Sequence, residues 1–139
     1  MNSTWTKRTW SNIGEFYGRN VWTDKTNIYY SSGSVQKKLS GFWSDKTWTG
    51  LENFLGEYIW TDKNNVYYSD GSNQYILDKS TSTWTPKTWN ESLNIDGSYI
   101  WTDRTNYYYS NGSDQYILDE LNSTWVIKEW AGLKNFYGN

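Results

Sequence analysis

The chain has 139 residues, a length typical of one domain, and a formal net charge of −2. It contains neither Cys nor His, which excludes disulfides, thiolate or imidazole catalysis and Cys/His zinc sites. It also has no basic block and no apolar run of about 18 residues, so the sequence predicts neither nucleic-acid binding nor a membrane span.

Aromatic residues make up 20% of the chain, so a mean hydropathy of −0.91 does not indicate disorder here. Trp-Thr-Asp occurs three times, beginning at Trp22, Trp60 and Trp101, and Tyr-Tyr-Ser follows each copy at Tyr29, Tyr67 and Tyr108. A pair of tryptophans occurs four times, at Trp5 and Trp10, Trp43 and Trp48, Trp84 and Trp89, and Trp125 and Trp130. The sequence therefore predicts a tandem repeat.

Each copy is predicted to form four short strands, a to d. In the second copy they cover residues 58–61, 65–69, 74–77 and 83–88. The copies are 41 residues apart between Trp60 and Trp101 but 38 apart between Trp22 and Trp60. A shorter c–d turn at about Ser40-Gly41 accounts for the difference.

Turn residues separate the predicted strands. Asp62-Lys63-Asn64 predicts the a–b turn and Asp78–Ser82 the c–d turn. Asp70-Gly71 and Asn111-Gly112 predict two-residue type I′ hairpins between strands b and c, with positive φ at both central residues. In the first copy, Ser32-Gly33 is a weaker signal for the same hairpin turn.

Apolar side chains alternate onto both faces of the predicted strands. Val66 and Tyr68 point one way and Tyr67 the other, and Ile76 opposes its neighbours Tyr75 and Leu77. Both faces of each sheet must then be covered, unlike a sheet that is open to water on one side. Small four-stranded sheets stacked radially, with aromatics between them, give an all-β fold of the β-propeller type.

Two segments resemble the kelch repeat: Tyr75–Asp78 followed by Ser80–Trp84, and Tyr116–Asp119 followed by Thr124-Trp125. The first copy departs at residues 36–39, Trp-Thr-Asp replaces the usual double glycine, and the period is shorter than the ~50 residues of kelch. The resemblance implies a propeller that binds proteins. Sugar oxidase activity, found in a minority of kelch propellers, requires copper ligands that include His and Cys.

We predict one domain, residues 1–139, with blades at about 11–48, 49–89 and 90–130, an extra outer strand at about 3–10 and a tail at 131–139. Propellers close with about four to eight blades. Three blades would leave two open edges, and such edges favour association. We therefore expect a homodimer that closes six blades. The alternative is a fragment of a longer array.

The d–a connections are predicted to emerge, with the b–c loops, on the face where propellers bind partners. They cover Trp10–Gly18, Trp48–Gly56, Trp89–Gly97 and Trp130–Gly138. The candidate ligand-binding residues of this face are Trp10, Trp48, Trp89, Glu91, Asn94, Asp96 and Trp130. Exposed Trp beside acids and amides is typical of sugar binding. Packing of these tryptophans between blades is favoured, because every copy carries one.

Asp24, Asp62 and Asp103 repeat beside one turn, which favours turn capping over acid/base catalysis. We predict no catalytic residue, no metal and no cofactor; a hydrolase using a non-repeated acid such as Glu91 or Asp96 is the enzymatic alternative. Three functions remain open: a protein-interaction scaffold, a lectin-like carbohydrate binder, and a designed or excised fragment that only folds and assembles. No signal peptide precedes the first repeat, so a cytoplasmic location is the default expectation.

Overall fold

A computed structural model of the chain describes residues 6–7, 9–14, 16–90 and 93–139. Three antiparallel sheets follow one another along the described sequence; each has four strands paired in chain order, and the first has a fifth strand off this path. The all-β prediction is confirmed, and the arrangement is compatible with a partial β-propeller. No helix among the described residues is long and apolar enough to cross a membrane.

Each sheet is a meander of short strands. Sheet 1 contains β1 (Val21–Thr23), β2 (Ile28–Gly33), β3 (Val35–Ser40) and β4 (Phe42–Asp45), with β5 (Phe54–Leu55) paired to β2. Sheet 2 contains β6 (Ile59–Thr61), β7 (Val66–Ser69), β8 (Gln74–Asp78) and β9 (Thr83–Pro86). Sheet 3 contains β10 (Ile100–Thr102), β11 (Tyr107–Ser110), β12 (Gln115–Asp119) and β13 (Thr124–Ile127). Short 3-10 turns precede the first strand of each sheet, at Gly18–Asn20, Gly56–Tyr58 and Gly97–Tyr99.

The strands of the second copy agree with the predicted ones to within two residues at each end. The shortened turn of the first copy is also present, since Gly41 alone separates β3 from β4. The predicted extra outer strand at about 3–10 lies partly outside the described residues. Its described members, Thr6, Lys7, Thr9 and Trp10, belong to no strand.

The prediction of type I′ hairpins is wrong. The Asp70 N–H donates to the Asn73 carbonyl at 3.1 Å, so Gly71 and Ser72 are the two central residues of the turn. Gly71 has φ +95°, and Ser72 is not among the described residues with positive φ. The turn therefore has one positive φ, at its first central position, instead of the two that a type I′ turn needs. Gly33 (φ +64°) and Gly112 (φ +100°) hold the same position in the other sheets.

The core consists of aromatic layers between neighbouring sheets. Between sheets 1 and 2, Trp22 and Tyr29 stack with ring centroids 4.5 Å apart, and Trp48 and Phe54 of the connecting segment pack on Trp22. Sheet 2 completes the layer with Val66, Tyr68, Leu77 and Trp84. Rings in edge and tilted contact exclude water on both sides, which stabilises each sheet against its neighbour.

The boundary between sheets 2 and 3 repeats this layer. Trp60 and Tyr67 stack at 4.4 Å, and Trp89 and Ile95 of the connection pack with Tyr109, Leu118 and Trp125 of sheet 3. Val66 and Tyr68 therefore face sheet 1, whereas Tyr67 faces sheet 3. The predicted burial of both strand faces is confirmed.

Candidate functional site: the end faces and the linker grooves

We call the connections between sheets linker 1 (residues 46–58) and linker 2 (residues 87–99, of which the structure describes 87–90 and 93–99). Residues 10–18 and 130–138, which correspond to Trp48–Gly56 of linker 1, are the N-terminal and C-terminal segments. Each linker lies between two sheets and is bonded to both of them. Linker 2 accepts hydrogen bonds at the Ile95 carbonyl from the Gly71 N–H at 2.9 Å and from Gln74 Nε2 at 2.8 Å.

The aspartates of Trp-Thr-Asp are turn residues, as their repetition predicts. Asp62 Oδ1 accepts from the N–H groups of Asn64 and Asn65, and its Oδ2 accepts from the Tyr67 hydroxyl at 3.0 Å. Asp24 and Asp103 make the same three bonds in their own copies. Burial, together with the nearby Asp24 carboxylate, raises the pKa of Tyr29 to about 12. The carboxylates therefore hold the a–b turns.

Glycines mark where each linker crosses the preceding sheet. A Cβ on Gly56 would lie closer than 3.0 Å to the Asn20 carbonyl and to Trp22 Cδ1. Gly97 approaches Tyr58 and Trp60 in the same way, and Gly138 of the C-terminal segment approaches Tyr99 and Trp101. Gly18 holds the corresponding place in the N-terminal segment, yet a Cβ there would meet no described atom within 4 Å.

The outer face of sheet 3 is covered by the C-terminal segment. Trp101 and Tyr108 contact Trp130 with centroids 5.7 and 5.2 Å away, and Phe136 lies 6.1 Å from Trp101. The Phe136 carbonyl accepts from the Gly112 N–H at 2.9 Å, as the Ile95 carbonyl does from Gly71. Trp101 nevertheless remains partly exposed, unlike Trp60 in sheet 2. The reason is that no described sheet packs on its far side.

The outer face of sheet 1 is equivalent to the face of sheet 2 that packs against sheet 1. Tyr30 and Trp43 hold the positions of Tyr68 and Trp84, and the N-terminal segment covers them. Phe16 lies 5.5 Å from the Tyr30 ring, and Trp10 lies 5.9 Å from the Trp43 ring. Trp10 is partly buried, whereas Trp48 and Trp89, held between two sheets, are both only 3% exposed.

The predicted ligand-binding residues do not converge on one site. Trp48 and Trp89 are buried between sheets, as the packing alternative predicts, so neither presents a ring face to a sugar. Trp130 is partly buried at the end of the molecule, and Glu91 lies outside the described residues. Asp96 accepts from the Ser98 N–H at 2.9 Å and caps a 3-10 turn, while Asn94 is exposed. Their role in ligand binding remains a prediction.

Three equivalent grooves, one beside each sheet, lie between the b–c turn and the following connection. Their volumes are about 520, 230 and 430 Å³ for sheets 1, 2 and 3. Each is lined by a Gln, a Lys and a Trp: Gln36, Lys46 and Trp48; Gln74, Lys87 and Trp89; and Gln115, Lys128 and Trp130.

The lysines line one side of each groove and are fixed by contacts of their own. Each Nζ lies over the ring of the Trp two residues later, at 4.7, 4.6 and 4.8 Å, which is cation–π distance. Lys46 and Lys87 also donate to hydroxyls of the next sheet, at Ser82 and Ser123, both at 2.6 Å. Sequence reasoning missed these lysines, although the Lys-x-Trp spacing recurs in the three copies.

Comparison of the chain with protein-family models, with curated proteins and with solved structures finds no match. The resemblance to kelch repeats therefore remains a prediction. Within the described residues, no group of three or more acidic side chains is placed to hold a metal ion.

Proposed function

We propose that this chain is a non-catalytic scaffold module: half of a β-propeller, which two copies complete by pairing their end faces into six blades. The observation that supports this best is that the two end faces match the two sides of the internal boundaries. Sheet 3 offers Trp101 and Tyr108, the equivalents of Trp22 and Tyr29. Sheet 1 offers Tyr30 and Trp43, the equivalents of Tyr68 and Trp84.

Each end face lacks what the other provides. At an internal boundary a Trp-Tyr stack and a linker meet the aromatic face of the next sheet, and all of these rings become buried. At the two ends a terminal segment covers each half of this layer; it buries Tyr30, Trp43 and Tyr108 but leaves Trp101 and the segments' own Trp10 and Trp130 partly exposed. A second copy, docked head to tail, supplies the missing half in the geometry that the chain already uses twice.

Gly18 gives the sharpest support. Gly56, Gly97 and Gly138 each fit against a preceding sheet where a Cβ would overlap a backbone carbonyl. The described residues put no such constraint on Gly18, which has neither a crowded Cβ position nor a positive φ. A docked copy would bring its Tyr99 and Trp101 to Gly18, and glycine would be needed there.

The boundary between copies should be weaker than the internal ones. Gly41 occupies the place of Ser82 and Ser123, directly before the outer strand. Lys128 would therefore find no hydroxyl there to match the bonds that Lys46 and Lys87 make. This favours a reversible dimer whose melting temperature rises with protein concentration.

The test is the solution mass of Gly18→Val across a range of concentrations, beside the wild type and Gly14→Val. The Gly14 position is also open, and its equivalents in the linkers are Glu52 and Leu93, so a side chain fits there in either state. We expect the wild type and Gly14→Val to approach twice 16.5 kDa. Gly18→Val should stay monomeric and melt at a temperature independent of concentration. A wild type that remains monomeric at all concentrations would refute the proposal.

Carbohydrate binding is the second candidate, and the grooves favour it. Within the described part of the chain, Gln74 Oε1 and Gln115 Oε1 are buried without a hydrogen-bond partner, and both glutamines line grooves. These oxygens are not themselves exposed to the grooves, so the argument for a sugar is the lining: in each groove a glutamine lies beside a lysine, and both side chains can bond to sugar hydroxyls. A glycan array should then show binding that Gln74→Leu and Gln115→Leu weaken together, whereas an array without hits would count against it.

A further inference from the structure

The two terminal segments compete for one place in the proposed dimer. Each internal boundary contains a single linker, but the boundary between copies would bring together residues 130–138 of one chain and residues 10–18 of the other. Both segments carry the Trp, Phe and Gly of a linker in the same order. Gly138 already occupies the crossing over Tyr99 and Trp101 that Gly18 would need. One segment must leave.

The N-terminal segment is the better anchored of the two at this crossing. Gly18 begins a 3-10 turn that runs directly into β1, and Asn20 in that turn is 3% exposed. Asn20 Oδ1 also accepts from the Glu57 N–H at 3.3 Å, which ties the turn to linker 1. Moving Gly18 aside would disrupt the first strand of sheet 1.

The C-terminal segment is held only on its inner side, by sheet 3. Its described contacts are those of a linker with the preceding sheet, including the bonds from Gly112 and Gln115 to the Phe136 carbonyl. On the outer side Leu133 is 63% exposed, and Tyr137, although it packs on Tyr99, is still 61% exposed. Releasing the segment exposes Trp101 and Tyr108 without breaking any strand of the three sheets.

We propose that residues 130–138 form an intramolecular cap, and that dimerisation exchanges this cap for residues 10–18 of a second copy. This inference rests on the proposed function. In the dimer, the Phe16 carbonyl of the partner accepts the bonds that Gly112 and Gln115 now donate to Phe136, and Gly18 replaces Gly138. The cap keeps most chains monomeric at low concentration, because only the open fraction can bind.

A reversible lock on the cap tests this exchange. Asn111 and Tyr137 face each other in an isolated antiparallel bridge, where Cα atoms are about 4.5–5.5 Å apart, within disulfide range. The chain has no Cys, so N111C/Y137C introduces one defined pair. We expect the oxidised variant to be monomeric at concentrations where the same variant, reduced, is dimeric. The readout is solution mass by sedimentation or light scattering.

The matched control is D70C/D96C, which places the equivalent lock on linker 2, since Asp70 and Asp96 form the same kind of bridge. Oxidation there should leave the monomer–dimer equilibrium unchanged. A dimer of N111C/Y137C that survives oxidation would overturn the cap exchange while leaving the scaffold proposal intact. Monomers in both redox states, and in the wild type, would overturn the scaffold proposal as well.

Two alanine variants should change the dimer dissociation constant in opposite directions. Weakening the cap through Phe136→Ala should lower the dimer dissociation constant by at least about tenfold, because the open fraction rises. Phe16→Ala should raise it, because the incoming segment then binds less well. If the two effects are reversed, the C-terminal segment stays in place and the cap proposal is wrong.

Discussion

Ser31, Ser69 and Ser110 are fully buried, and their hydroxyls accept the indole N–H of the repeat tryptophan. Ser69→Ala would leave Trp60 Nε1 without its acceptor at 2.9 Å. An unsatisfied buried donor costs about 1–3 kcal/mol, so we expect that loss in the free energy of unfolding in urea. Ser72→Ala, at an exposed turn position, is the control and should change stability by less than about 0.5 kcal/mol. Equal losses of unfolding free energy in Ser69→Ala and Ser72→Ala would contradict the role of Ser69 as the acceptor of the Trp60 indole N–H.

The linker glycines give a second prediction at this scale. Gly56→Ala forces a Cβ against the Asn20 carbonyl and Trp22, and both belong to well-packed surroundings. Overpacking of this kind costs about 1–3 kcal/mol. Gly18→Ala has room in the isolated chain and should leave the monomer's unfolding midpoint unchanged. Both are compared by denaturant unfolding at protein concentrations low enough to keep the chain monomeric. A Gly56→Ala variant as stable as the wild type would mean that the sheets are not held this closely.

At the scale of the turns, Asp62 satisfies two backbone N–H groups and the buried Tyr67 hydroxyl at once. Asp62→Ala should destabilise the fold by about 1–3 kcal/mol, since these donors lose their acceptor. Asp103→Ala should have a smaller effect, because Asp103 is exposed and water can replace it. The two variants are compared by thermal and urea unfolding, and a larger loss at Asp103 would refute this reasoning.

The strands could be predicted from the sequence because the aromatic alternation and the turn residues agree with each other in every copy. The geometry of the b–c turns could not be predicted, although Asp70-Gly71 and Asn111-Gly112 are dipeptides typical of hairpin turns. Asp70 Oδ1 accepts from the N–H groups of Ser72 and Asn73, so the side chain places Asp70 before the turn and shifts its centre to Gly71-Ser72. A dipeptide rule that considers only φ does not include this competing bond.

At the scale of the whole molecule, repetition correctly indicated that Trp48 and Trp89 pack between sheets, because a residue present in every copy serves what every copy needs. The same repetition gave no indication that a terminal segment has a role different from that of a linker. The C-terminal segment has the sequence of a linker, and nothing in its residues shows that it covers sheet 3 in the absence of a following sheet. The open position at Gly18 is visible only once the neighbours of the other linker glycines are known.

Buried tyrosines should make the whole fold sensitive to alkali. Burial raises the pKa of Tyr29 to about 12, and burial beside Asp62 and Asp70 also raises the pKa values of Tyr67 and Tyr68. In the unfolded chain a tyrosine ionises near pH 10. The folded state then holds protons that the unfolded state has released, so stability is fully present below about pH 10 and falls as the pH rises toward 12.

Two signals followed in one alkaline titration test this: tyrosinate absorbance, and tryptophan fluorescence as a reporter of the aromatic layers. Because each layer contains one of these tyrosines or more, we expect the late-ionising group to titrate together with loss of the folded fluorescence. Dimers should unfold at higher pH than monomers if the end faces close as proposed, since binding stabilises the folded state. Ionisation of every tyrosine near pH 10 with the fold retained would show that the layers admit water and that these hydroxyls are not held as described.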